Sequence, residues 1–170
     1  MKRLLVIVDM QNDFLTGTLA NADAERVLAN VKQKLEWARS ENIEIVFTRD
    51  THSEDYLSTQ EGKNLPVPHC LKGTWGWEIA DGLCKGNEPV FDKPVFGSTE
   101  LAAFVKEGGY TEVEVVGVCT DICVVSNVLL IKAYCPETVV TVDGNCCAGV
   151  TRESHEFALK TMSACQVRIL

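Results

Sequence analysis

The chain is 170 residues long, with 46% apolar residues and a formal net charge of −8, a length and balance that suit one domain with a sizeable core. The negative charge argues against a broad nucleic-acid footprint or an anionic membrane surface, while leaving room for local capture of a small anion. No segment approaches the ~20 apolar residues that span a bilayer.

The opening MKRLLVIVDM sets an apolar run between a basic pair and Asp9. The run is too short for a signal-peptide core and no small-residue cleavage site follows, so it reads as a buried parallel strand over 4–9 in a cytoplasmic protein. Residues 22–40 carry Val27, Val31, Leu35 and Ala38 at helical spacing, with Asn21 or Asp23 as the cap. IEIVFTRD, 43–50, is a second strand that ends in an acid. Residues 51–76 hold Gly62, Pro66, Pro68, Gly73 and Gly76 and read as a long loop, a kind of segment that is often functional. The rest alternates: a short strand at 88–93, a helix at 98–109 capped by Ser98, a strand at 112–118, a helix at 121–134 capped by Asp121, a strand at 138–143, a helix at 151–162 capped by Thr151, and a last strand at 166–170. There is no repeat, low-complexity tract or linker, so one domain over 1–170 is expected.

This alternation predicts an α/β fold, three-layer α/β/α with a mostly parallel central sheet. Ligands of such sheets bind beyond the carboxyl ends of the strands. Asp9, Asp50, Lys93 and Cys119 all fall at expected carboxyl ends, so the sheet itself gathers them along one edge.

Eight cysteines are present, but the chain is too long and too well patterned to need disulfides, and most of them read as small buried hydrophobes. Neither Cys119/Cys123 nor Cys146/Cys147 has the spacing of a paired-cysteine zinc site. Cys123 falls in the first turn of a helix, where unpaired N–H groups favour a thiolate. Cys119 lies just before that helix, and its N–H is placed to share an oxyanion hole with that of Cys123. Packing roles for both remain the alternative. Asp9, at the end of an apolar strand, is the candidate base, and Lys93 is either its positive partner or an ordinary solvated lysine. His155, beside Glu153 and Glu156, reads as a surface or capping histidine.

A second constellation is DTH at 50–52, then Glu61, then HC at 69–70. Asp50 and His52, two apart, point the same way on an extended strand end. One carboxylate and two imidazoles suit zinc, iron or manganese with positions left open. Two of the chain's three histidines fall in this one loop.

DMQNDF (9–14), the isolated Lys93 and GVCTDICV (117–124) resemble the Asp, Lys and Cys segments of the isochorismatase-like cysteine hydrolases. The DxH…H pattern and LPVPHCLKGTWGWE (65–78) resemble the nicotinamidase/pyrazinamidase branch. The resemblance implies a catalytic Asp9, Lys93 and Cys123, an acyl-enzyme on Cys123, an oxyanion hole from Cys119 and Cys123, and a cis peptide between Val118 and Cys119. It also implies a divalent metal on Asp50, His52 and His69, with Glu61 as a fourth ligand and Ser58 as its competitor, and a dimer or tetramer of identical chains. Pro66 stands where some relatives place a ring-stacking aromatic. That leaves Phe14, with Trp75 or Trp77, as aromatic walls, Trp77 being the one better explained by ordinary packing. The 93–101 segment is shorter than in relatives, and Phe96 falls at a usual tyrosine position. Three readings follow: a metal-dependent nicotinamidase serving NAD salvage, a related hydrolase of another small carboxamide, ureide or carbamoyl compound, and a non-enzymatic thiol or metal sensor.

Overall fold

The computed structural model describes residues 1–170. Six strands build one sheet: β1 Arg3–Val8, β2 Glu44–Asp50, β3 Val90–Lys93, β4 Glu112–Val118, β5 Val139–Ala148 and β6 Arg168–Ile169. Their order is β3-β2-β1-β4-β5-β6, and every neighbouring pair is parallel. Six α-helices connect them: α1 Asn12–Leu15, α2 Ala24–Ser40, α3 Gln60–Asn64, α4 Thr99–Gly108, α5 Val125–Tyr134 and α6 Arg152–Ala164. The right-handed crossover rule for parallel strands sets α2 on one face and α4, α5 and α6 on the other, and α4, α5 and α6 pack in series. The three-layer α/β/α arrangement expected from the alternation is the one observed. No helix is long and apolar enough to cross a membrane.

The strands form where apolar runs are buried from both sides. Leu4 to Val8 and Val113, Val115, Val116 and Val118 all lie inside, the pattern of a central parallel sheet covered on both faces. The chain leaves β1 toward β2 and β3, then returns to place β4 against the opposite side of β1. The strand order therefore reverses between β1 and β4, the switch point where a crevice opens at the carboxyl ends. Gly117 shows how close that approach is. Its φ is 122°, and an added Cβ would overlap the backbone of Val8.

Several local expectations are corrected. Asp23 holds the cap position of α2 without a side-chain cap bond, and the Asn21 Oδ1 accepts the Asp23 N–H at 2.8 Å, ahead of the helix, while its Nδ2 donates to the Gly149 carbonyl at 2.7 Å. Asp121 does not cap the helix after β4. Cys119 holds the cap position, and the Asp121 carboxylate accepts from the Val150 N–H at 3.2 Å. That helix opens with a wide π turn, Thr120–Val124. β5 runs five residues further than the predicted 138–143, to Ala148, and residues 51–76 contain α3 and short 3-10 turns. Ser98 and Thr151 cap α4 and α6 as expected.

Candidate active site

Three strand ends bring the reactive side chains together. Asp9 follows β1 with φ 48°, a left-handed conformation that Asp tolerates better than most residues and that turns the chain at the rim of the sheet. Lys93 is the last residue of β3, and Cys123 lies in the π turn beyond β4. The Lys93 Nζ is 2.6 Å from Asp9 Oδ2, 3.4 Å from Asp50 Oδ1 and 3.5 Å from Cys123 Sγ. Lys93 is 1% exposed, so the solvated reading of this lysine does not hold. The Thr48 hydroxyl donates to Asp9 Oδ1 at 2.7 Å and leaves Oδ2 to the ammonium and the thiol.

Burial sets the proton positions. It raises the Asp9 carboxyl above its ordinary range, outweighing the Lys93 charge, and the Asp50 carboxylate adds to the rise. Burial and then the Asp9 charge lift the Cys123 thiol well above its usual value, against the pull of Lys93. Lys93 is itself held protonated: burial opposes its charge, but Asp9, Cys123 and Asp50 outweigh that cost. The Cys123 thiol is therefore protonated at rest, with Asp9 as its neighbouring proton acceptor across the Lys93 ammonium. The sulfur's proton has a short path to Asp9.

The second cluster sits against the first. Asp50, His52, Glu61 and His69 present four donor atoms that all lie within 4.8 Å of one another. His52 Nε2 is 3.0 Å from Asp50 Oδ2 and 3.6 Å from Glu61 Oε1. His69 Nε2 is 3.5 Å and 3.7 Å from the same two oxygens. Four ligands about 2.1 Å from one cation in a tetrahedron would stand roughly 3.4 Å apart, so this donor set fits a divalent metal. Glu61 completes it from α3. Ser58 does not, since it is exposed and its hydroxyl donates to the Asp55 carbonyl at 2.8 Å. The Asp50 carboxyl is held far below the usual range: burial opposes its charge, but hydrogen bonds from His52 and His69 and the Lys93 charge prevail. Burial, then Asp50, raise Glu61.

Backbone pairing brings His69 back to His52. The His52 N–H donates to the Cys70 carbonyl at 3.0 Å and the Lys72 N–H to the His52 carbonyl at 2.9 Å, so the loop docks beside the end of β2 like a short extra strand. Tyr56 walls the imidazoles, with ring centroids 4.7 Å from His52 and 5.1 Å from His69.

Both clusters meet at one cavity of about 650 Å³. Asp50, Glu61, His69, Cys119 and Cys123 line its inner part, and Phe14 and Phe96 also border it. Trp75 does not. It is 59% exposed and presents its carbonyl to Asn12 Nδ2 at 2.8 Å, so the expectation that it walls the pocket is corrected. Trp77 packs elsewhere, with the Arg49 guanidinium 3.5 Å above its ring. The peptide between Val118 and Cys119 is cis, and the Cys119 thiol is pushed up to about 12 by burial, then by Asp121 and Asp9.

Residues 3–170 match the isochorismatase domain family. The chain belongs to that family. It is 28% identical over 184 residues to the nicotinamidase/pyrazinamidase of Mycobacterium tuberculosis, covering 99% of this chain and 98% of that one. The crystal structure of the Pyrococcus horikoshii pyrazinamidase in complex with zinc superimposes with a TM-score of 0.88 at 26% identity, over 100% of this chain and 99% of that one. The Leishmania infantum PnC1 structure in complex with nicotinate superimposes with a TM-score of 0.83 at 25% identity, over 99% and 92%.

Three polar residues of this isochorismatase-family chain hold the site and were not singled out from sequence. Gln11, fully buried, donates through Nε2 to the Asp50 and Trp77 carbonyls, each at 2.8 Å, and accepts the Asp50 N–H at 2.7 Å. Asp13 accepts the N–H of Cys70 at 2.7 Å and of Thr18 at 3.1 Å, linking the His69 loop to a wall of the cavity. Their signal lay in DMQNDF, where polar residues two apart interrupt an apolar stretch. Asn127 joins the short 93–101 segment to the nucleophile turn. It donates to the Cys123 carbonyl at 2.8 Å and the Phe96 carbonyl at 3.2 Å, and accepts the Ser98 N–H at 2.9 Å. His155 is no free surface histidine: its Nδ1 shares a 2.7 Å hydrogen bond with the buried Thr120 hydroxyl.

Proposed function

We propose that this chain, one catalytic domain over 1–170, is a metal-dependent cysteine amidohydrolase that converts nicotinamide and water to nicotinate and ammonia. The observation that carries the reading is the Lys93 ammonium set among Asp9, Asp50 and Cys123 Sγ. It joins a proton acceptor, a nucleophile and a four-donor metal cluster at one cavity. The relatives' nicotinamidase and pyrazinamidase activities support the choice of amide.

The steps follow from proton positions. Asp9 takes the Sγ proton of Cys123 as sulfur bonds to the carboxamide carbon, so no thiolate need stand free beforehand. Lys93 stays protonated and balances the negative charge on Asp9 or sulfur. The N–H groups of Cys119 and Cys123 donate to the oxygen that becomes negative. Asp9 then protonates the leaving ammonia as the C–N bond breaks and a thioester forms. Water, losing its proton to Asp9, cleaves that thioester and releases nicotinate. Asp50, His52, Glu61 and His69 would hold the divalent cation, zinc first and iron or manganese as alternatives, which supplies a Lewis-acidic anchor beside the reacting carbon. The reading places the enzyme in cytoplasmic NAD salvage as a homo-oligomer, a dimer or tetramer.

The test is ammonia release from nicotinamide by the zinc-loaded protein, with Cys123→Ala as control. Turnover that disappears in the control is expected; none with metal verified in place would refute nicotinamide as substrate. A thiol sensor is disfavoured because both site thiols are held protonated, whereas oxidant-sensing cysteines are low-pKa thiolates.

A further inference from the structure

The cavity is larger and more aliphatic than a single pyridine ring with one carboxamide needs. At about 650 Å³ it falls in the range that encloses drug-sized ligands. Its ionisable groups gather in the inner part, where Cys123, Asp50, Glu61 and His69 converge, and Thr18 and Asn21 are the other polar residues of its lining. Phe14 and Phe96 border that part, and Phe14 stands 5.7 Å from the His69 ring. Beyond them the lining changes to Leu19, Ala20, Ala22, Leu65, Ile122 and Val150. These come from four separate places: the loop after α1, the end of α3, the turn after β4 and the turn after β5. Leu65 and Val150 are exposed, so an apolar surface open to water runs inward to the nucleophile. Neither Trp75 nor Pro66 lines the cavity, so its only phenyl walls are Phe14 and Phe96.

Resting on the amidohydrolase chemistry proposed above, we infer that this outer chamber is a substrate subsite, and that the preferred substrates are primary carboxamides whose ring carries an apolar substituent. The substituent occupies the aliphatic chamber while the carboxamide sits at Cys123. Continuity argues for the substrate as occupant, because the chamber and the catalytic sulfur share one cavity. The chemistry is unchanged: the C–N bond breaks, ammonia leaves with a proton from Asp9, and water restores the thiol.

The probe is nicotinamide and its 5-methyl, 5-ethyl and 5-propyl derivatives, substituted at the ring carbon remote from both the carboxamide and the ring nitrogen. The zinc-loaded full chain is assayed by ammonia release. Each methylene taken from water into an apolar wall raises kcat/KM roughly fourfold, so the series should climb steadily. Val150→Asp, and separately the milder Val150→Ser on the same exposed turn, should reduce the ratio of propyl to parent. A flat or falling series with nicotinamide turned over overturns the subsite and leaves the nicotinamidase reading standing; that result is also expected if a second copy of the chain covers the chamber. A climbing series in which nicotinamide itself is inert supports the subsite and removes nicotinamide as substrate. Silence on every amide, with zinc verified, overturns both. A propyl-to-parent ratio unchanged in both Val150 variants also overturns the assignment.

Discussion

Replacing Lys93 by methionine tests whether charge compensation holds this site together. The side chain is 1% exposed, and Met keeps its length and apolar stem while removing the charge. Asp9, fully buried, loses a partner at 2.6 Å, and Asp50 loses one at 3.4 Å. Removing one member of a buried pair costs about 3–5 kcal/mol because the other charge is left uncompensated. Proton uptake limits the loss. The folded Asp9 carboxyl already lies above its unfolded value of about 3.9, and without Lys93 it rises further. Between the unfolded value and the new folded one, the native state binds more protons than the unfolded state, so stability falls as pH rises. Below that window Asp9 is neutral and most of the penalty disappears. Urea denaturation of wild type and Lys93→Met at pH 5 and pH 8 should therefore give a deficit near the full value at pH 8 and a clearly smaller one at pH 5. Adding Asp9→Asn should return much of the stability at pH 8, giving a coupling energy well above experimental error. Equal deficits at both pH values, with no recovery in the double variant, would refute the argument and assign the loss to packing.

Three more perturbations probe separate parts of the structure. Because the Asp9 carboxyl is raised, kcat/KM should fall on acidification with a midpoint above the ordinary carboxylate value of about 4; a pH–rate profile that stays flat down to pH 4 contradicts its role as base. Gln11→Ala strands the buried N–H and C=O of Asp50 and should cost about 2–6 kcal/mol in urea denaturation, at roughly 1–3 kcal/mol per unpartnered group, with weaker zinc retention by chelator competition; unchanged stability and retention would show that water replaces the amide. Excess zinc at about a thousand times its Kd should stabilise the protein by about 4 kcal/mol, raising Tm in calorimetry, and His69→Ala should abolish most of that rise; an equal rise in the variant would place the ion elsewhere.

Much of the site was legible because the sheet is parallel. Apolar runs that end in Asp9 and Asp50, a strand ending at Lys93, and a strand followed by Cys119 must deliver those residues to the same edge, whatever the detailed packing. His52 follows from Asp50 by strand alternation, and the histidines of one loop suggested a cation. Trp75 shows the limit. Its aromatic character made it a plausible wall, but whether a loop residue faces a cavity or water depends on how the loop docks, and here the backbone of Trp75 serves Asn12 while its ring is exposed.

The sequence by itself determined the strand–helix alternation and the gathering of Asp9, Asp50, Lys93 and Cys119 at one sheet edge, because period and strand ends are local properties that survive in any packing; the triad and the metal set it named through family resemblance. Tertiary structure decided the rest. Glu61 rather than Ser58 joins the metal cluster because α3 presents it to His52 and His69, while Ser58 turns back to Asp55. Lys93 is buried and protonated, rather than solvated, because two carboxylates and a thiol from other strands surround it. Gln11, Asp13 and Asn127 matter only because each reaches backbone groups far along the chain, and Gly117 only because β4 lies so close to β1. These are long-range facts of hydrogen-bond satisfaction and close approach, and no local pattern encodes the partner that a buried polar group will find.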